Sequence, residues 1–365
     1  AKRALLKKAF LRAGEHAEEI AAFELKHKSW IGDYAAYMTL KDRYGGLPWW
    51  QWEDRHKLRD KAAMLEVKGS EEYAFYVFEQ FIFDGQWGDV KRYLKSRDIK
   101  IIGDISPTAV AGVPPDYFSE EGQLWGNPLY DIDYHVKTGY KWWISRLTRA
   151  CEWYDVLRID HFRAFSRYWS VPVDAPTAKT GEWKEGLGLP FLKAVSKALP
   201  DALFIAEDLG IIDDATRKLL ADSGLPGMRV MQFGFEDGDS AHLPHNFDRH
   251  CIGYTATHDN NTTLGWLQGL NSDTLDYVLR YIGCDAFGWG NGGYGCKSTK
   301  AFIKKLLESC CTLAIVPFQD MCGFGADCRM NTPGVADNNW RYRATYENFG
   351  GVDTAFFNSV NSLYG

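Results

Sequence analysis

The chain has 365 residues, of which 45% are hydrophobic and 25% charged. This is ordinary globular composition, enough for one large catalytic domain with an elaboration. A formal charge of −6 and a pI near 5.9 supply no basic field to gather phosphates, which argues against nucleic acid as a partner and favours a neutral ligand.

The first residues, AKRALLKKAFLRAGEH, alternate charged and apolar positions rather than forming a signal h-region. No apolar run approaches the roughly 18 residues a membrane helix needs, so no membrane partner and a cytoplasmic location are expected. Residues 1–98 carry helix-type spacing, first at Ala9, Phe10 and Ala13 and later at Phe75, Val77, Phe78, Phe81 and Ile82. An all-helical subdomain is expected there, broken most clearly at Gly45-Gly46-Leu47-Pro48 before Trp49, Trp50 and Trp52.

From residue 99 to 365 short apolar runs end in polar, glycine-bearing loops followed by amphipathic helices, the mark of a parallel β/α architecture. Six runs read as strands: Ile99–Gly103, Val156–Ile159, Leu203–Ala206, Met228–Phe233, Ile252–Ala256 and Leu313–Pro317. A closed barrel of this kind needs eight, and the helical first part offers no others. The fold class expected is therefore α/β, a TIM-type (β/α)8 barrel with six strands readable and two absent, plus the helical subdomain.

Active sites of such folds lie at the carboxyl ends of the strands. Asp160 ends the run Val156-Leu157-Arg158-Ile159, with Arg158 two residues earlier on the same side of the strand, where its guanidinium favours an ionised carboxylate. Glu207 ends the next run, and Asp259 follows Ile252–Ala256, two strands further round. A single strand-end carboxylate is more often a helix cap or a loop ion pair; three in register point to acid–base chemistry. Retaining glycosidic cleavage needs an ionised nucleophile and a protonated acid roughly 5 to 5.5 Å apart, which adjacent strands can supply. The 14 Trp, 19 Tyr and 21 Phe suit sugar rings as well as core packing.

These residues resemble the 4-α-glucanotransferases, also called amylomaltases or disproportionating enzymes, which are related to the α-amylase group. Arg158-Ile159-Asp160-His161-Phe162-Arg163, Ala206-Glu207-Asp208-Leu209-Gly210 and Thr257-His258-Asp259-Asn260 are similar to the family's motifs for nucleophile, acid/base and transition-state-stabilising aspartate. Pro114-Pro115-Asp116-Tyr117-Phe118 and Gly122–Tyr130 resemble its mobile acceptor-side loop and the segment after it. Arg329–Gly334 with Asn339-Trp340 resembles its last barrel loop. The resemblance implies sugar contacts for Asp116, Gln123, Trp125, Asp237 and Asn331, and hydroxyl contacts near the cleavage point for His161 and His258. It also implies that the helical subdomain is an insertion in the barrel and that two N-terminal strands are missing here. A glycine is expected at position 338, where this chain has Asn.

The expected function is transfer of an α-1,4-glucan segment between maltooligosaccharides derived from starch or glycogen, with no metal or organic cofactor. The alternatives are a hydrolase of the same mechanism and a non-catalytic glucan-binding fragment. Several other signals carry less weight. Gly290–Gly295 matches GxGxxG without a buried strand before it and reads as a loop between helices. Pro244 prevents His242 and His245 from sharing a helical zinc face with His250 nearby. Ser106, Ser166 and Ser170 lack a nucleophile elbow. The eight cysteines (151, 251, 284, 296, 310, 311, 322 and 328) form no CxxC pair and read as reduced thiols. Trp49, Trp50 and Trp52 read as a hydrophobic plug rather than a sugar platform.

Overall fold

The structure, a computed structural model, describes residues 2–364 apart from 106–111, 116–119, 126–128, 173, 211, 237, 334 and 336. It comprises two compact units, Ala1–Lys100 and Ile101–Gly365. Among the described residues no helix is long and apolar enough to cross a membrane.

The first unit is built from helices, chiefly Ala17–Lys26, Ile31–Arg43, Lys61–Lys68 and Glu71–Lys95. Asp60 starts the third by accepting from the N–H groups of Ala62 and Ala63, both at 3.0 Å, and Ser70 starts the last by accepting from Tyr73 N–H at 3.3 Å. Phe23, Ile31, Leu40, Val67, Tyr76 and Val77 form its core. Trp52 joins them, stacked 5.5 Å from Tyr44 with its indole N–H on the Leu47 carbonyl. Trp49 and Trp50 stay 44% and 47% exposed, so only one of the three tryptophans plugs anything.

The second unit holds ten strands among the described residues: β1 (Ile102–Ile105), β2 (Gly112–Val113), β3 (Gln123–Leu124), β4 (Val156–Ile159), β5 (Arg167–Ser170), β6 (Glu182–Glu185), β7 (Leu203–Ala206), β8 (Gly227–Val230), β9 (Cys251–Tyr254) and β10 (Leu313–Ile315). Six of them form two parallel ladders, β1-β4-β7 and β8-β9-β10, with Ala206 N–H donating to the Pro226 carbonyl at 2.9 Å between the two. The first strand begins three residues later than its apolar run suggests. Ile99 is half exposed, and the ladder starts where the Ile101 carbonyl accepts from Asp155 and Val156. The fourth predicted run, Met228–Phe233, is a strand only to Val230 and then winds into a 3-10 turn over Met231–Phe233.

Alternation along these strands sorts residues between two cores. Leu157, Ile159, Phe204 and Ala206 pack outward against Trp143, Leu147, Phe191 and Val195 of helices Lys141–Trp153 and Gly188–Ala198. Ile205, Met228, Val230, Ile252 and Tyr254 meet on the opposite face, with Val156 and Ile315 at their edge. That shared interior draws on strands of both ladders.

A four-stranded antiparallel sheet, β3-β2-β5-β6, went unforeseen. Gly112 pairs with Leu124 and Trp169; a Cβ at position 112 would fall 1.9 Å from the Gln123 carbonyl oxygen, so only glycine fits there. Trp169 faces Trp183 across β5 and β6.

Candidate active site

In-register pairing places Asp104 of β1 beside Arg158 of β4, and both lie on the interior face with Val156. The Arg158 guanidinium donates from Nη1 to both Asp104 oxygens at 2.8 and 2.9 Å and to Asp160 Oδ1 at 2.9 Å. Burial works against the Arg158 charge, but Asp104, Asp160 and Glu207 together raise its pKa above the ordinary arginine value. Sequence reasoning missed Asp104 because it ended the first strand at Gly103. The signal available was an aspartate one position beyond that run.

The ladder continues past the strands. Asp160 N–H donates to the Ile105 carbonyl at 3.0 Å and Glu207 N–H to the Ile159 carbonyl at 2.9 Å, which sets the two carboxylates side by side at adjacent strand ends. Glu207 accepts His161 N–H on Oε2 at 2.6 Å and Leu209 N–H on Oε1 at 2.9 Å. Its pKa is nonetheless pushed up to about 7. Burial is the main cause and the Asp160 charge adds to it, against Arg158 and the two backbone donors.

His161 adopts a left-handed backbone, φ 49°, which is costly for a side chain of this size and turns its N–H onto Glu207. Burial, helped by Arg163 and opposed by Asp160, pushes its imidazole down to about 4, so it is neutral at pH 7. Trp125 packs edge-on against that ring at 5.3 Å and donates its indole N–H to Gln123 Oε1 at 3.1 Å. The antiparallel sheet thus carries two of the expected sugar-contacting residues to the Asp160–Glu207 pair.

Asp259 sits in a second cluster. Its Oδ1 accepts from Asn331 Nδ2 at 2.5 Å and its backbone carbonyl from Arg329 Nη2 at 2.7 Å. His258 Nε2 lies 3.4 Å from Asp259 Oδ2, and its ring packs 5.2 Å from Trp340. Asn338 lies at φ 66°, which explains how Asn replaces the expected glycine: of the other residues, Asn tolerates this region best. Tyr254 of β9 belongs electrostatically to the Asp104–Arg158 group. It is pushed up to about 12 by burial and by Asp104, against the opposing charge of Arg158.

Asp116 and Asp237 lie outside the described residues. The three histidines set aside as ligands have separate partners: His242 accepts Val230 N–H, His245 meets Tyr281 and His250 the Gly224 carbonyl. Gly290–Gly295 lies between helices Ser272–Ile282 and Lys297–Leu307. All eight cysteines are free thiols.

A family profile for 4-α-glucanotransferase matches residues 1–111 and 106–347. The 4-α-glucanotransferase of Thermus thermophilus is 38% identical over 359 residues, covering 90% of this chain and 71% of that protein. That of Aquifex aeolicus is 37% identical, covering 94% and 74%. Among solved structures, amylomaltase from Streptococcus agalactiae in complex with acarbose superposes with a TM-score of 0.91 at 32% identity, over all of this chain and 78% of that one. On these matches and on the carboxylates gathered at the strand ends, the chain belongs to the 4-α-glucanotransferase family.

Proposed function

We propose that this chain moves an α-1,4-glucan segment from a donor to an acceptor maltooligosaccharide with retention, through a covalent glycosyl-enzyme on Asp160. The carrying observation is the division between neighbouring carboxyls: Glu207 holds its proton up to about pH 7, while Asp160 accepts a guanidinium N–H from Arg158. A protonated acid beside an ionised nucleophile is what the first half of a retaining transfer needs.

Asp160 attacks the anomeric carbon as Glu207 gives its proton to the departing glycosidic oxygen. In the second half Glu207 takes a proton from the incoming sugar hydroxyl, and the Asp160–glycosyl bond breaks. Asp259, oriented by Asn331 and Arg329, binds hydroxyls of the donor ring and favours its distorted, charge-bearing form. His161 and His258 contact hydroxyls near the cleavage point, Gln123 and Trp125 line the sugar path, and the family resemblance assigns sugar contacts to Asp116, Asp237 and Asn331 as well. In this reading the six parallel strands belong to a (β/α)8 barrel and residues 1–98 are a helical insertion in it. The substrates are starch- or glycogen-derived glucans in the cytoplasm.

Incubation with maltotriose tests the reading. Glucose appearing with maltopentaose and longer chains, and lost in Glu207→Gln, is the expected result. Glucose and maltose alone would make the chain a hydrolase, and binding without turnover would make it a glucan-binding protein.

A further inference from the structure

Asp320 is fully buried on the short helix Phe318–Cys322. It accepts three hydrogen bonds, all from the segment that follows β9: Thr255 Oγ1 to Oδ2 at 2.8 Å, Thr263 Oγ1 to Oδ2 at 2.7 Å and Thr263 N–H to Oδ1 at 2.7 Å. Burial raises its pKa, and only these donors oppose that rise; no cation contributes. An isolated carboxylate in a dry interior is among the costliest groups a fold can hold, so its compensation has to come from somewhere specific. Here it comes from the two ends of one loop, residues 255–263, with Asp259 in the middle.

The neighbouring side chain holds the other loop. Gln319, also buried, donates from Nε2 to the Cys328 carbonyl at 3.2 Å, and the next residue, Arg329, begins the stretch whose Arg329 and Asn331 grip Asp259. Two adjacent side chains of one short helix therefore anchor both segments that converge on Asp259. Within the first loop, Asn260 Oδ1 accepts from Thr257 N–H at 2.9 Å and Thr257 Oγ1 at 2.8 Å, and Gln232 Nε2 donates to the Asn261 carbonyl at 3.0 Å. The loop has little freedom except through its anchors.

We infer that Gln319 and Asp320 act as positioning residues for Asp259, clamping the loops after β9 and β10 in one register so that the Asp259 carboxylate meets the donor sugar at a set distance. This rests on the reading of Asp259 as a transition-state-stabilising group. Misplacement of such a group by about 1 Å costs on the order of 100-fold in rate, and the loss belongs in kcat rather than in ground-state binding.

Asp320→Asn keeps the side-chain volume but replaces one acceptor oxygen by an NH2 donor, which then faces either the two threonine hydroxyls now on Oδ2 or the Thr263 N–H now on Oδ1. Expected for the full chain with maltotriose is a fall in kcat of about 10- to 100-fold with KM within about 3-fold of the parent. In an Asp259→Asn background, followed with α-maltotriosyl fluoride as activated donor, the same change should cost less than about 3-fold, because residues acting through one another are non-additive. Gln319→Leu should behave likewise with a smaller loss.

An Asp320→Asn loss that persists in full in the Asp259→Asn background, an unchanged kcat, or a loss confined to KM would overturn the clamp. Asp259→Asn that leaves kcat intact would instead overturn the role given to Asp259. If Asp320→Asn does not fold, Thr255→Val removes one of the three donors alone and is judged by the same two criteria.

Discussion

Glu207, the proposed acid/base, ties its proposed chemistry to the stability of the fold through one proton. Its carboxyl pKa, raised to about 7 in the fold, stands above its unfolded value of roughly 4.3. The native state therefore binds this proton more tightly than the unfolded chain. The associated stability is fully present below the unfolded pKa and is lost as pH rises through the folded one. Glu207→Gln should abolish transfer and should also spare the protein a loss of about 2 to 3 kcal/mol between pH 5 and pH 8. Urea unfolding of both proteins at the two pH values measures this; parallel pH dependence would contradict the elevated pKa. The residue type of all three acids and the strand-end place of Asp160 and Glu207 could be read from sequence, whereas Asp259 lies in mid-loop beyond the end of β9 at Tyr254. The proton affinity of Glu207 could not be so read, because it depends on how much low-dielectric protein and how many charges surround one carboxyl.

At the scale of the element, β4 places Asp160, the proposed nucleophile. Leu157 and Ile159 are buried outward and Arg158 inward, so outward packing holds the register in which Arg158 meets Asp104 and Asp160. A one-residue slip would reverse every side chain. Leu157→Ala, at a position 1% exposed, should cost about 2 to 5 kcal/mol, seen as a lower urea midpoint with an unchanged m-value. The molecules that remain folded should keep a near-parental kcat. The parallel strands were legible because strands covered on both faces are near-continuous apolar runs. The antiparallel sheet was not: Gly112–Val113 and Gln123–Leu124 are two residues each, and β6 is exposed throughout, leaving no apolar pattern to detect. Because that sheet delivers Trp125 to His161, how these named residues come together was hidden with it.

Over the whole molecule, opposing titrations bracket neutrality. His161 and His242 are both pushed down to about 4, by burial first and by the nearby Arg163 and Arg229 charges second. A depressed pKa contributes stability that is present above the unfolded value, near 6.5 for histidine, and is lost as pH falls toward 4. Glu207 contributes in the other direction, its share fading as pH rises through about 7. These groups together predict greatest stability at about pH 6.5 to 7, with kcat/KM falling on the alkaline side as the acid loses its proton. Unfolding free energies and rates across pH 4 to 9 test this, and stability that climbs steadily to pH 9 would count against it.

By itself, the order of residues determined the family, the six apolar strand runs, the helical first hundred residues and the three acids that follow strand runs, since each is a local pattern of side-chain type and period. Only the tertiary structure decided that Asp104 shares Arg158 with Asp160, that Glu207 holds its proton near neutrality, and that a carboxylate 61 positions after Asp259, Asp320, anchors the loop around it. Those facts arise from groups distant in sequence brought within hydrogen-bonding reach and out of water, where distance and burial rather than residue type set the energy.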